Sequence, residues 1–93
     1  MGSKMKTILL ILIGNRKESA VNVQKVLTGW GCNIKTRLGI HDGVLEDCSD
    51  KGLLILELVG KKEDNREIAR KVSLIKGVNS QLVELKIDDE KES

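Results

Sequence analysis

Two nearly continuous apolar runs dominate the hydrophobic pattern of this 93-residue chain. They cover residues 7–13 and 53–59, and the second contains a single charge, Glu57. A strand that is covered on one face alternates apolar and polar side chains, whereas a strand covered on both faces does not alternate. Both runs therefore predict central strands of a sheet, with apolar cover on each face.

Two further strands are predicted around these runs. The first strand extends over residues 6–14 and the third over residues 53–59. Residues 32–40 form the second strand, with Ile34, Thr36, Leu38 and Ile40 expected on one face in the manner of an edge strand. Residues 78–87 form the fourth strand. Cys32 opens the second strand, where a free cysteine is usually a small buried side chain.

Helical periodicity is found in two segments, one between the first and second predicted strands and one between the third and fourth. The first helix is expected to begin at an Asn15 cap, with Glu18 three residues later, and to end near Trp30. The second is expected to repeat this capping arrangement with Asp64 and Glu67. The apolar stripes that define the helices are Ala20, Val23, Val26, Leu27 and Trp30 in the first, and Ile68, Val72 and Ile75 in the second.

The resulting order β-α-β-β-α-β predicts an α+β, ferredoxin-like sandwich. Its four-stranded antiparallel sheet has the order 4-1-3-2, with two helices on one face. The two strands with continuous apolar runs are then the central ones, so pattern and topology agree. We expect one domain over residues 1–93, with an ordered core at about residues 6–87 and flexible tails at 1–5 and 88–93.

Two helices can cover only one face of this sheet. On the third strand, Leu54, Leu56 and Leu58 are expected to face the helices, which leaves the set that contains Glu57 on the other side. An exposed aliphatic surface of that size usually marks an interface. We therefore expect a homodimer or a homotetramer, assembled through the sheet or edge to edge.

Charge and composition exclude several classes of protein. The chain has 16 basic and 14 acidic residues, a net charge of +2, and Trp30 as its only aromatic side chain. Direct nucleic-acid binding is not expected, because such proteins usually combine a basic stripe with stacking aromatics. No segment is expected to act as a signal peptide or to span a membrane. We expect a cytoplasmic protein whose two cysteines, Cys32 and Cys48, stay reduced.

Two groups of residues are candidates for binding. Backbone amides at Gly14, Asn15 and Arg16 could receive an anion at the start of the first helix, with Arg37 as its partner. The alternative is ordinary helix capping beside a surface arginine. We assign the candidate ligand-binding residues as follows: Gly14, Asn15, Arg16, Arg37 and Gly39.

A transition-metal site is the second candidate. His41 and Cys48 lie in one polar segment, and imidazole and thiolate together suit Zn, Ni or Fe. The alternative is a solvated turn with an incidental histidine and cysteine. No paired carboxylates, nucleophile or phosphate loop can be argued for catalysis, so a hydrolase or isomerase is disfavoured and we expect a protein that is not an enzyme.

Residues 36–41, 48–58 and 75–79 resemble a small family of stand-alone ACT-like proteins labelled as regulators of the iron-only hydrogenase system. The shared pattern is R-[LM]-G-I at Arg37–Ile40, a short polar insertion, G-[LV]-[IL]-I-[LI] from Gly52, and a late Gly-Val at Gly77. The resemblance covers about residues 6–87. It implies an ACT-like fold, similar to the ligand-binding domain of nickel-responsive repressors, and an assembly of dimers or tetramers.

The sequence departs from the proteins it resembles in two respects. No ribbon-helix-helix arm precedes the first strand, so the DNA binding of the repressors is not carried over. Residues 14–19 lack the glycine signature with which ACT domains often bind amino acids. The sequence therefore predicts a small regulatory or sensor module that oligomerises and binds a small molecule or metal ion at a subunit boundary. The alternative is a ligand-free protein–protein assembly module.

Overall fold

The computed structural model describes residues 3–14, 17–41 and 52–88 of the chain. The elements, in chain order, are β1 (Ser3–Ile13), α1 (Lys17–Gly29), a 3-10 turn (Gly31–Asn33), β2 (Ile34–His41), β3 (Gly52–Leu58), α2 (Lys62–Ser73) and β4 (Val78–Asp88). The strands form one antiparallel sheet in the order β2-β3-β1-β4. This is the predicted order 4-1-3-2 read from the other edge, so the predicted ferredoxin-like fold is confirmed.

Both helices pack on the same face of the sheet and form the core there. Leu9 and Ile11 of β1 and Leu56 of β3 are fully buried beneath them. The helices contribute Val23 and Leu27 from α1 and Ile68 and Val72 from α2. These are members of the two predicted apolar stripes, whereas Val21, which lies off the stripe, is 52% exposed. Within the described ranges, no helix is long and apolar enough to cross a membrane.

The predicted cap of the second helix is wrong. Helix α2 begins at Lys62, and its N-cap residue is Lys61, which makes no side-chain capping bond. The amide of Asn65 donates to the carbonyl oxygen of Lys61 at 3.1 Å, so Asp64 already lies in the first turn. Its carboxylate is there favourably placed for the helix dipole rather than for capping. The helix starts early because Gly60, at a φ of +94°, turns the chain directly after β3.

The predicted face pattern of the second strand is confirmed for Thr36, Leu38 and Ile40 but is wrong for Ile34. A register shift between Ile34 and Thr36 divides the strand into two parts. Ile34 pairs with Leu58 on the helix side and packs against the core. Leu38 pairs with Ile55 and Ile40 with Leu53, on the side turned away from the helices. A bulge of this kind moves the following side chains to the other face of the sheet.

Cys32 is likewise not where the sequence places it. The 3-10 turn over Gly31–Asn33 precedes β2, which begins only at Ile34. Cys32 is an exposed free cysteine in this turn, not a buried side chain at the start of a strand. Its thiol takes no part in the core, because the turn lies beyond the buried stripe of α1.

Strands β1 and β4 extend past the rest of the sheet. Strand β3 pairs with β1 over residues 7–13, whereas the β1–β4 pairing continues to Ser3 and Asp88. We call the two-stranded extension, residues 3–6 with residues 85–88, the arm. At about 3.4 Å per residue the arm is roughly 14 Å long. It adds to an elongated shape, with extents of 50 × 27 × 19 Å.

Candidate functional site

The sheet face turned away from the helices is an extended apolar surface, and we call it the open face. Leu53, Ile55 and Glu57 belong to it, while Leu56 and Leu58 are buried under the helices, as predicted. Its ten aliphatic members come from all four strands: Ile8, Leu10, Leu12, Leu38, Ile40, Leu53, Ile55, Val83, Leu85 and Ile87.

Five of these aliphatic side chains are about half exposed. Leu38 is 53% exposed and Leu12 is 52% exposed, and Leu85 reaches 59%. Ile40 and Ile87 are similar, whereas the remaining five are only partly accessible. Ten aliphatic side chains on one side of a four-stranded sheet, interrupted by a few polar residues, exceed the isolated apolar residues found on most monomer surfaces. The open face is therefore a candidate interaction surface.

One ion pair lies within the open face. The Nζ atom of Lys6 donates to Oε2 of Glu57 at 3.0 Å. This hydrogen bond holds the pKa of the Glu57 carboxyl below its ordinary value, and the charges of Lys6 and Lys35 and a hydrogen bond from Thr36 act in the same direction against partial desolvation. The Glu57 side chain is only 19% exposed. The carboxylate is thus kept charged where its surroundings are mostly aliphatic.

A shallow depression lies on the same face, at the end opposite the arm. Its apolar lining comes from Leu10, Leu12 and Leu53, and Asn79 and Gln81 of β4 form its polar side. Its volume is about 180 Å³. The open face therefore has a shallow recess beside the half-exposed Leu12 at one end and the half-exposed Leu85 and Ile87 of the arm at the other.

Gly14, the first of the predicted ligand-binding residues, closes β1 against the turn before β4. Its amide donates to the carbonyl oxygen of Gly77 at 2.8 Å. A Cβ atom at position 14 would lie 3.0 Å from that same oxygen, so the close approach favours glycine. The amide is therefore already used within the fold. Asn15 and Arg16, predicted to bind beside it, lie outside the described residues.

Arg37 and Gly39 lie on the helix side of the edge strand β2. Arg37 pairs with Leu56 and Gly39 with Leu54, and both residues are exposed. Gly14 lies two strands away and five residues further along the sheet, which separates it from Arg37 by about 17 Å along the strand direction. The fold thus does not bring these two candidates together within one copy of the chain.

The predicted metal ligands are only partly accounted for. The backbone of His41 ends β2 opposite Gly52, but its side chain lies outside the described residues, as does the whole of Cys48. Among the side chains that are described, no three His, Cys, Asp or Glu residues come together in a way that could hold a metal ion. The pairing of His41 with Cys48 stays a prediction.

A larger cleft on the helix side was not predicted from the sequence. It has a volume of about 500 Å³ and lies between α1 and the turn before β4. Apolar side chains of Val26, Leu74 and Ile75 line it together with charged Lys25 and Lys76, among others. The signal in the sequence was a polar residue, Ser19, on the apolar side of the first helix. In the structure Ser19 is 2% exposed, and its Oγ donates to the carbonyl oxygen of Lys76 at 2.5 Å.

Comparison with known proteins gives a likeness in structure rather than in sequence. No protein-family model matches the chain, and no curated protein matches it. Among solved structures, it is similar to the uncharacterized protein TM1266 from Thermotoga maritima, with a TM-score of 0.73 and 23% identity over 89% of this chain and 98% of that chain.

Two regulatory or signalling proteins are also similar in fold. A putative PII-like signaling protein from Thermus thermophilus has a TM-score of 0.54 at 11% identity, over 99% of this chain and 98% of that one. The regulatory subunit of aspartate kinase from the same organism has a TM-score of 0.52 at 17% identity, over 89% of this chain and 55% of that one. At these identities the likeness shows the fold, which is the ferredoxin-like, ACT-like fold expected from the sequence.

Proposed function

We propose that this protein is a small regulatory module that works as an oligomer and senses a small molecule or metal ion at a subunit boundary. The observation that carries the proposal is the open face, with its ten aliphatic side chains. A surface of this kind is typical of proteins that bury it against another copy. The proposal gives this face a role in assembly and leaves the loops at the ends of the sheet for the ligand.

The apolar area is sufficient to drive association. Five of the open-face side chains are about half exposed and five are partly accessible. Full burial of an aliphatic side chain contributes about 1.5–3 kcal/mol, so completing the burial of all ten could contribute on the order of 10 kcal/mol. Association costs about 4–15 kcal/mol. Since a dimer buries two such faces, the gain is about 20 kcal/mol, and the difference of about 5–16 kcal/mol includes the roughly 8 kcal/mol of a micromolar dimer.

A site at a subunit boundary would reconcile the separation of the candidate residues. Gly14 and Arg37 are too far apart to hold one small ligand within a single copy, so a shared ligand needs residues from two copies. We propose that Gly14, Asn15, Arg16, Arg37 and Gly39 contribute to such a site at a second boundary, as in a tetramer, because Arg37 and Gly39 lie on the helix side and not on the open face. His41 and Cys48 are the proposed metal ligands, and a symmetric assembly could let two copies share one Zn, Ni or Fe ion.

The regulatory role is supported by similarity in fold alone. The PII-like signaling protein and the aspartate kinase regulatory subunit are regulatory by their names. Regulation of an iron-only hydrogenase system is a finer proposal, and it rests on the sequence resemblance at residues 36–41, 48–58 and 75–79. A ligand would regulate by binding one assembly state more tightly than another.

Light scattering at micromolar concentration tests the assembly. The wild-type protein should be a dimer or tetramer, and Leu38→Glu should shift it to monomer because a carboxylate would have to be buried in the interface. Val21→Glu is the matched control, since Val21 is equally exposed but lies on α1. A monomeric wild type, or equal effects of the two substitutions, would overturn the proposal.

A thermal-shift panel tests the ligand. Salts of Ni, Zn, Fe and Co and the twenty amino acids should be included, and a true ligand at about a hundred times its Kd adds roughly 2.7 kcal/mol of stability. A hit that is lost in Arg37→Ala or in His41→Ala supports the sensor. A flat panel with an intact oligomer would contradict ligand sensing and favour the ligand-free assembly module.

A further inference from the structure

The arm needs a packing partner that the described residues of one copy do not provide. A two-stranded ribbon is marginally stable in water unless a third strand or another layer packs on it. The side chains of Leu85 and Ile87 lie on the open-face side of the arm and are 59% and 51% exposed. Met5, on the other side, is 41% exposed. The arm therefore presents Leu85 and Ile87, beside Lys4 and Lys6 on the same face, with no cover from the described residues at the end of the sheet.

The recess and the arm lie on the same face, at opposite ends. Ile87 pairs with Lys4, at the arm end of β1, whereas Leu12 lies eight residues further along the same strand. At about 3.4 Å per residue the two positions are roughly 27 Å apart. The pair Ile8–Val83 lies midway between them. A surface with protruding side chains at one end and a recess at the other can match itself when one copy is reversed.

We propose that two copies stack open face to open face, so that the arm of each copy packs into the depression of the other. The proposal rests on the oligomeric module proposed above and specifies its interface. The two-fold axis crosses the strands near Ile8 and Val83. Ile87 then lies over Leu12 and Asn79 of the partner subunit, and Leu85 over the region of Leu10 and Gln81, which are lining residues of the depression.

The area involved fits a second copy. Neighbouring strands are about 4.8 Å apart and side chains on one face are about 6.7 Å apart, so each covers roughly 32 Å². The ten aliphatic residues and their polar neighbours on the open face then cover on the order of 500 Å² per copy. Two copies bury about twice this footprint, which reaches the roughly 1,000 Å² that a specific interface needs.

Cross-linking with a short bismaleimide tests the arrangement. All variants carry Cys32→Ser and Cys48→Ser, so that only introduced thiols react. Facing side chains of two stacked sheets lie within about 10 Å, whereas Ile87 and Leu12 of one copy are about 27 Å apart. Mixing Ile87→Cys protein with Leu12→Cys protein should give a cross-linked dimer, and neither protein alone should do so. Val83→Cys protein, close to the axis, should cross-link to itself.

The outcomes separate this inference from the broader proposal. The arrangement would be overturned if light scattering shows a dimer but positions 87 and 12 do not cross-link. It would also be overturned if Ile87→Cys protein cross-links to itself. In both cases the broader proposal of an oligomeric module would stand. A monomer would overturn both. A dimer that forms only when another protein is added would also overturn the inference, because the partner would then not be a second copy.

Substitutions in the arm give an independent readout. The double variant Leu85→Gln, Ile87→Gln should have a dimer Kd at least tenfold higher than the wild type. The stability of the monomer should change little, because both side chains are exposed. Val21→Gln is the control for an equally exposed residue outside the interface. An unchanged Kd in the arm variant would contradict a role of the arm in the interface.

Discussion

Gly60 shows how a single residue determines the connection between β3 and α2. Its φ is +94°, a region that side-chain-bearing residues rarely adopt, and a Cβ atom there would lie 2.8 Å from Nδ2 of Asn33. That nitrogen donates to the carbonyl oxygen of Val59 at 3.0 Å. An added methyl group would therefore strain the turn and displace a hydrogen bond.

We expect Gly60→Ala to lower the free energy of unfolding by about 1–2 kcal/mol, as measured by urea denaturation. Gly29→Ala is the control, because a Cβ atom at position 29 meets nothing within 4 Å. The control should be close to neutral. Equal losses in the two variants would contradict the assigned role of Gly60.

The Lys6–Glu57 pair predicts a pH dependence of stability. Because Lys6 lowers the pKa of Glu57 below its ordinary value of 4.5, the pair stabilises the folded state above that pH. The contribution is lost as the pH falls through the lowered pKa. Glu57→Gln should therefore be less stable than the wild type near neutral pH, and the difference should narrow on acidification.

The measurement is the free energy of unfolding of both proteins between about pH 3 and about pH 7. Lys6→Met should reduce the same acid-dependent component, since it removes the hydrogen-bond donor that lowers the pKa most, while Lys35 and Thr36 still lower it. A difference between wild type and Glu57→Gln that stays constant down to the acid end of this range would show that the pair does not contribute.

At the scale of elements, one buried hydrogen bond joins α1 to the turn before β4. The hydroxyl of Ser19 is 57 residues from its acceptor, the carbonyl oxygen of Lys76. Ser19→Ala should lower the free energy of unfolding by about 1 kcal/mol, because the part-buried hydrogen bond to the Lys76 carbonyl is lost. Thr28→Ala, on the exposed side of α1, is the control in the same denaturation experiment and should have less effect.

The order and type of these elements could be predicted because they depend on local periodicity. The continuous runs of β1 and β3 identified the central strands, and the stripes around Val23 and Ile68 identified the helices. Ile34 of β2 was assigned the wrong face because the bulge that follows it depends on pairing with β3, not on the alternation of β2 itself. Asp64 was misassigned because the turn at Gly60 starts the helix earlier.

The candidate site was less accessible to sequence reasoning. The cleft between α1 and the turn before β4 forms only when segments far apart in sequence meet. The one indication in the sequence was the polar Ser19 on the apolar side of the first helix. Conversely, Gly14 and Arg37 were predicted as partners because Arg37 was expected on the polar side of the second strand, where it could pair with an anion at the start of the first helix. The sheet separates them, and sequence alone does not give distances between strands that are not neighbours in the chain.

At the scale of the whole molecule, self-association should make stability depend on concentration. If only the folded protein dimerises, a higher concentration favours the folded dimer. The Tm should therefore rise when the protein concentration is raised about a hundredfold. Leu38→Glu should remove this dependence, and Val21→Glu should keep it. A wild-type Tm that does not change with concentration would indicate that the folded monomer is stable without a partner.

The two outer strands carry charges on their helix-side positions, and this limits how copies can combine. Arg37 lies on β2, and Glu84 and Lys86 lie on β4. Charged edge strands disfavour the side-by-side addition by which sheets grow into fibres. A strand that pairs with one edge of a sheet presents a new edge to the next copy. The open face differs, because a single partner can cover it completely. In the proposed dimer, each open face would be used by the other copy, so that further growth through this face would stop at two copies.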